Sequence, residues 1–166
     1  MSHSKRREKF DPKFFIRRVF LKGDYAIVKN IMTKDVVSIS VAKSVFEAAE
    51  LMTSKRVSCL VIMDGEVPIG IVTERDIVRR VVAKKMPLDT KISEIMSKTL
   101  ITVDPGTSLK EAARLMSSNK IRRLPVLEQN RLVGIVVAAD FVRNLGKKTV
   151  PEEILEAIGR YPPTFP

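Results

Sequence analysis

The chain has 166 residues, 45% of them hydrophobic and 5% aromatic, which suits one domain or two small halves sharing a core. Its single cysteine (Cys59) rules out an intrachain disulfide, and with a single histidine a Cys/His zinc site or a Ser-His-Asp triad would require His3 to reach far across the fold. A net charge of +11 calls for an acidic partner or a basic tail, and apolar runs such as 69–72 and 134–139 fall far short of the ~20 residues of a membrane span.

No apolar signal region follows the basic N-terminus, so the expectation is a soluble, cytoplasmic protein. Residues 1–26 form a basic arm. Up to residue 24 it holds eight basic side chains and three acidic ones, giving +5 of the total. Phe10, Phe14 and Phe15 alternate with Lys9, Lys13, Arg17 and Arg18. Three uses fit that mixture: docking of the phenylalanines on the rest of the protein, stacking and phosphate contact with a nucleic acid, or contact with another acidic surface.

The remainder is built on an internal repeat. At an offset of 64 residues, Ile31-Met32 falls on Ile95-Met96, Glu47-Ala48-Ala49 on Glu111-Ala112-Ala113, and Gly70-Ile71-Val72 on Gly134-Ile135-Val136, with no gap. The predicted boundaries are 27–86 and 87–147, followed by a C-terminal helix and Pro-rich tail over 148–166. In that tail, Pro151 and Gly159 bracket a short helix over about 151–158.

Each copy begins with an extended piece, 36–40 or 100–104. A helix follows, opened by Ser44-x-x-Glu47 or Ser108-x-x-Glu111, the pattern of a capping box. Apolar residues at 45, 48, 49 and 52, and at 109, 112, 113 and 116, mark one helix face. Two β-rich runs come next, joined at Asp64-Gly65 and at Gln129-Asn130. A second helix starts near residue 74 or 138. Each copy therefore reads β-α-β-β-α, and two copies related by a pseudo-two-fold would share one core. The fold class is α/β (α+β).

This layout resembles a tandem pair of cystathionine-β-synthase (CBS) domains, a Bateman module, over roughly 27–146. The match is carried by the paired IM dipeptides, the helices SVFEAAELM and SLKEAARLM, the strands VSCLVI and IRRLPV, and the segments GIVTERD (Gly70–Asp76) and GIVVAAD (Gly134–Asp140). The resemblance implies a regulatory, non-catalytic module of the stand-alone prokaryotic or archaeal type. It also implies an adenosine-containing ligand (AMP, ADP, ATP or S-adenosylmethionine) between paired repeats, assembly as a homodimer, and a separate regulated partner. No resident cofactor or metal is expected.

Candidate site residues follow in two groups. Thr73 and Asp76 head a helix, where they close a capping box or offer a hydroxyl and a carboxylate to a ribose phosphate. In the second copy Val137 replaces the threonine and cannot cap, yet Asp140 persists, which favours a ribose role for both carboxylates. The other group rests on the resemblance, which places an adenine base against Val36-Val37 and Ser58-Cys59, and against Leu100-Ile101 and Arg122-Arg123. Arg122 and Arg123 would then reach phosphates, although strand-opening arginines are also commonly just solvated. Cys59 also suits a small core position. Grouped by repeat, one site has Thr73 and Asp76 with Ser58-Cys59, and the other has Asp140 with both arginines. The resemblance also allows phosphates in one cleft to lean on basic groups of the other repeat. The functional expectation is an adenine-nucleotide sensor. The alternative is a nucleic-acid-binding protein that uses the basic arm, with the paired repeats as a dimerisation scaffold.

Overall fold

The computed structural model describes residues 27–145. The basic arm, the C-terminal helix expected over about 151–158 and the Pro-rich tail lie outside the described residues. The first repeat opens with α1, a 3-10 turn (Val28–Asn30), followed by β1 (Ser38–Ser40) and α2 (Val45–Lys55). A hairpin of β2 (Cys59–Asp64) and β3 (Val67–Thr73) comes next. A helical segment closes the repeat: α3 (Glu74–Asp76), a π turn over Ile77–Val81, and a 3-10 turn over Val82–Lys84. The second repeat runs α4 (Ile92–Ile95), α5 (Leu109–Ser118), the hairpin β4 (Arg123–Glu128) and β5 (Arg131–Val137), and α6 (Ala138–Leu145).

The repeat is kept down to its irregularities. Both hairpins are antiparallel, and each slips register at the same relative place, Ile62/Met63 and Val126/Leu127. β1 adds to β2 in parallel, pairing Ile39 with Ile62. Its counterpart in the second repeat is reduced to one parallel bridge, Val103 to Val126. The turns differ too. Gln129 and Asn130 both have positive φ, 51° and 63°, as a two-residue hairpin loop of type I′ requires, whereas in the first hairpin only Gly65 does, at 58°.

The helix caps obey the sequence in part. Ser44 and Glu47 make the full reciprocal box, the serine hydroxyl accepting from the Glu47 N–H and the carboxylate accepting from the Ser44 N–H at 2.8 Å. At α5 only half forms. Ser108 accepts from the Glu111 N–H, but the Glu111 carboxylate turns to Arg114 at 2.7 and 2.9 Å. A nearby guanidinium outcompetes the cap N–H for that carboxylate.

The largest departure from expectation is the core. Two cores form instead of one shared core, and each is completed by the other repeat. Val28, with Ile31 and Met32 packed around it, is buried among Leu109, Leu124, Val126 and Phe141. Reciprocally, Ile92 and Ile95, flanked by Met96, are buried among Val45, Leu60, Ile62 and Val72. Backbone pairing fixes the exchange. Ile27 bridges Ser108 and Lys91 bridges Ser44. Thr33 and Ile135 exchange two hydrogen bonds at 2.9 Å, and Ser97 and Ile71 do the same at 2.9 and 3.3 Å.

This exchange explains the glycine that opens each heptapeptide. A Cβ on Gly134 would lie 2.6 Å from the Met32 sulfur and 3.1 Å from the Thr33 carbonyl oxygen. On Gly70 it would lie 2.7 Å from the Met96 sulfur and 3.0 Å from the Ser97 oxygen. The IM pair of one repeat and the glycine of the other are thus two halves of one contact.

Candidate functional site

The crossed leaders create two clefts on either side of the pseudo-two-fold. Pairing of Ser97 with Ile71 steers 99–101 along the head of α3, and pairing of Thr33 with Ile135 steers 35–37 past the head of α6. The first cleft, about 390 Å³, lies between Thr73–Asp76, Thr99–Ile101 and Lys120–Arg123. The second, about 680 Å³, lies between Asp35–Val37, Arg56–Cys59 and Val137–Ala139. Both volumes fall in the range of about 300–1,000 Å³ typical of small-molecule sites.

The structure regroups the candidate residues across the repeats. Thr73 and Asp76 share a cleft with Ile101, Arg122, Arg123 and Ser58. Val37, Ser58 and Cys59 share the other with Val137, and Arg122 and Arg123 line that one as well. Of the expected grouping of Thr73 and Asp76 with Ser58-Cys59, Ser58 lines the same cleft as Thr73 and Asp76, whereas Cys59, which pairs with Thr73 across the hairpin, lines the other.

Asp76 is held from three directions. Its Oδ2 accepts from the Thr73 N–H at 2.9 Å and the Thr73 hydroxyl at 2.6 Å, and Arg80 Nε lies 3.3 Å from Oδ1. The Arg80 guanidinium also donates to the Ile95 carbonyl and, at 3.3 Å, to the Ser97 hydroxyl. It therefore ties the helix head to the chain that forms the opposite wall. Sequence reasoning missed Arg80. The only available signal was its i, i+4 spacing from Asp76, and a π turn intervenes, a feature frequent at functional sites.

Asp140 corrects the sequence argument. Without a threonine partner, its Oδ2 still accepts from the Val137 N–H at 2.8 Å, and its Oδ1 meets Arg143 at 2.7 Å. Half of the box survives because it needs only the backbone N–H, which valine retains. Asp140 is 5% exposed and does not line the second cleft. The cap and the Arg143 pair are thus enough to hold this carboxylate in place.

The strand openings meet at the dyad. The Ser58 carbonyl accepts from the Glu74 N–H at 3.2 Å, and the Arg122 carbonyl accepts from the Ala138 N–H at 2.9 Å, so each opening buttresses its own repeat's helix head. Arg123 Nη2 then crosses the dyad to donate to the Ser58 hydroxyl at 2.8 Å. Cys59, beside it, is half-buried, and burial pushes its thiol up despite the Arg123 charge. That keeps it protonated and a poor nucleophile.

Cationic groups dominate both clefts. Arg75, Lys120, Arg122 and Arg123 line the first against Glu74 and Asp76, and Arg56, Arg122, Arg123 and Arg143 line the second against Asp35. Among the described residues, no group of His, Cys, Asp and Glu is arranged to hold a metal, and no helix is long and apolar enough to cross a membrane.

Comparison with known proteins agrees with this architecture. The model of the CBS domain matches residues 28–83 and again 92–147. A CBS domain-containing protein of Bacillus subtilis, YhcV, is 39% identical over 117 residues, covering 70% of this chain and 84% of YhcV. The solved CBS domain pair of MJ0100, in complex with 5′-methylthioadenosine and S-adenosyl-L-methionine, superposes with a TM-score of 0.69 at 30% identity, over 75% of this chain and all of that one. A hexameric CBS-CP12 protein from bloom-forming cyanobacteria reaches 0.68 at 33% identity, over 79% of this chain and 77% of the other. Two matched domains, in the order and spacing of the internal repeat, make this chain a member of the CBS-domain family, with its two CBS domains paired as one ligand-binding regulatory module.

Proposed function

We propose that the protein senses a phosphorylated adenosine ligand (AMP, ADP or ATP) and passes the ligand state to a separate partner. The observation that carries this reading is the first cleft. A carboxylate and a hydroxyl, Asp76 and Thr73, line it together with Leu100 and Ile101 and with the basic side chains of Lys120, Arg122 and Arg123. Ribose hydroxyls suit a carboxylate acceptor, an adenine edge suits strand backbone, and phosphates suit clustered guanidinium and ammonium groups. The complex of the related MJ0100 pair supports an adenosine-type ligand. The excess of cationic side chains favours phosphates over the sulfonium of S-adenosylmethionine.

Binding would act on the chain 95–101, which is at once a wall of the cleft and, through Ile95, part of the first repeat's core. Signal output then follows from a shift in how the repeats sit. A second copy of the chain is the proposed cover for Val78 and Val142, equivalent positions 58% and 49% exposed on the last helical segment of each repeat. The nucleic-acid alternative rests on the basic arm, and no observation within residues 27–145 favours it.

The test is a thermal-shift panel of AMP, ADP, ATP, S-adenosylmethionine and a short RNA. A ligand at a hundredfold its Kd adds about 2.7 kcal/mol of apparent stability. Adenine nucleotides should shift the protein and S-adenosylmethionine should do so less. No shift with any adenosine compound would refute the reading. In calorimetric titration, Asp76→Ala should weaken binding by tenfold or more, while Asp140→Ala should change affinity little. Equal losses would contradict the unequal placement of the two carboxylates.

A further inference from the structure

We infer that the two clefts compete for one pair of arginines, so that each chain holds a single polyphosphate ligand tightly and a second only weakly. This deepens the adenosine reading and rests on it. The clefts lie back to back. Four residues at the dyad, Ser58, Ile121, Arg122 and Arg123, line both of them. Neither cleft can recruit the pair without drawing it from the other.

The geometry makes the sharing physical. Arg123 opens β4 and pairs through its backbone with Val137, at the head of α6 beside the second cleft. Its guanidinium, however, is hydrogen-bonded across the dyad to Ser58, whose carbonyl buttresses the head of α3 beside the first. The pseudo-symmetry offers no substitute, because the positions matching Arg122 and Arg123 in the first repeat are Ser58 and Cys59. Among the other basic side chains lining the second cleft, Arg143 is already paired with the buried Asp140 at 2.7 Å. Each cleft has flanking cations of its own, Arg75 and Lys120 in the first and Arg56 in the second, but a phosphate gains the bonds of the Arg122-Arg123 pair only where those shared guanidinium groups turn toward it. A second polyanion then meets fewer donors and the charge of the first. An uncharged nucleoside asks nothing of the arginines and escapes the conflict.

The experiment compares ATP with adenosine by calorimetric titration in the wild type and in two variants, each with one cleft plugged. Ala139→Trp fills the second cleft and Leu100→Trp the first, so each variant reports the intrinsic affinity of the cleft left open. Adenosine binding to each variant verifies that it is folded. Sharing predicts that the second ATP binds the wild type at least about tenfold more weakly than ATP binds the weaker plugged variant. For adenosine, wild-type constants should match the plugged variants. Arg123→Gln, with both clefts open, should narrow the gap between the first and second ATP, and this arm does not depend on the plugs. Two ATP sites with the plugged-variant affinities would overturn the sharing alone. So would an equal gap for adenosine, since coupling would then not run through charge. Absence of binding by both ligands would instead sink the adenosine reading and this inference with it.

Discussion

The two repeats run in register for their whole length yet solve the same packing problem with different side chains. The second is the more regular. α6 is an uninterrupted helix, and Phe141, in its first turn, is fully buried. The matching residue of the first repeat is Ile77, only half-buried at the start of a π turn. In exchange, the first repeat keeps the intact capping box at α3 and the arginine tether from Arg80 to the opposite chain. One repeat is built more for burial, and the other couples its helix head to the cleft wall. Helix-end chemistry and core packing can therefore diverge independently on one backbone.

The sharpest way to break this comparison is through the core. Phe141→Ala should cost about 3–5 kcal/mol, and Ile77→Ala clearly less, in denaturant unfolding followed by circular dichroism. Similar losses at both would mean that the π turn buries as much as the regular helix. Next come the glycines. Gly70→Ala and Gly134→Ala should each cost about 1–3 kcal/mol, because the added methyl meets a methionine sulfur and a backbone oxygen. Adding Met32→Ala should recover part of the Gly134→Ala loss and none of the Gly70→Ala loss. A uniform effect would show that the leaders are not exchanged.

Caps give smaller effects. Ser44→Ala should cost about 1–2 kcal/mol and Ser108→Ala about 0.5–1 kcal/mol, since only the first belongs to a complete box. Equal costs would mean that the Glu47 return bond contributes nothing. The mildest expected effect concerns acid. Hydrogen bonds from Lys43 and the Ser44 N–H lower Glu47 from 4.5 to about 2. A depressed carboxylate stabilises the fold above its unfolded value, and that contribution fades as pH falls from about 4.5 toward 2. Glu47→Gln should flatten the loss of melting temperature across that window. An unchanged slope would place the acid sensitivity elsewhere.

Much of the fold was legible because its determinants are local. The 64-residue offset, the stripe at 109, 112, 113 and 116, and the hairpins all follow from nearest-neighbour chemistry. The exchange of leaders was not legible. Val28 and Ile92 look like any short apolar turn, and nothing beside them in sequence says which repeat will bury them. The site suffered the same way. Thr73, Asp76, Arg122 and Arg123 could be named as residues, but their grouping depends on contacts made across the dyad. Asp140 misled for a different reason. A cap made by a backbone N–H leaves no trace in side-chain patterns, so the valine looked like the loss of a function it had not ended.

The reciprocal loan of leading turns has a further consequence for how such a chain can arise and be divided. A lone half would lack its plug and would have to borrow one from a twin, so its simplest stable form is a pair of identical halves embracing. Duplication and fusion of that half-length ancestor would turn an intermolecular handshake into an intramolecular one. After that the halves are free to drift apart, as Ser58 and Arg122 have done, without either losing its partner.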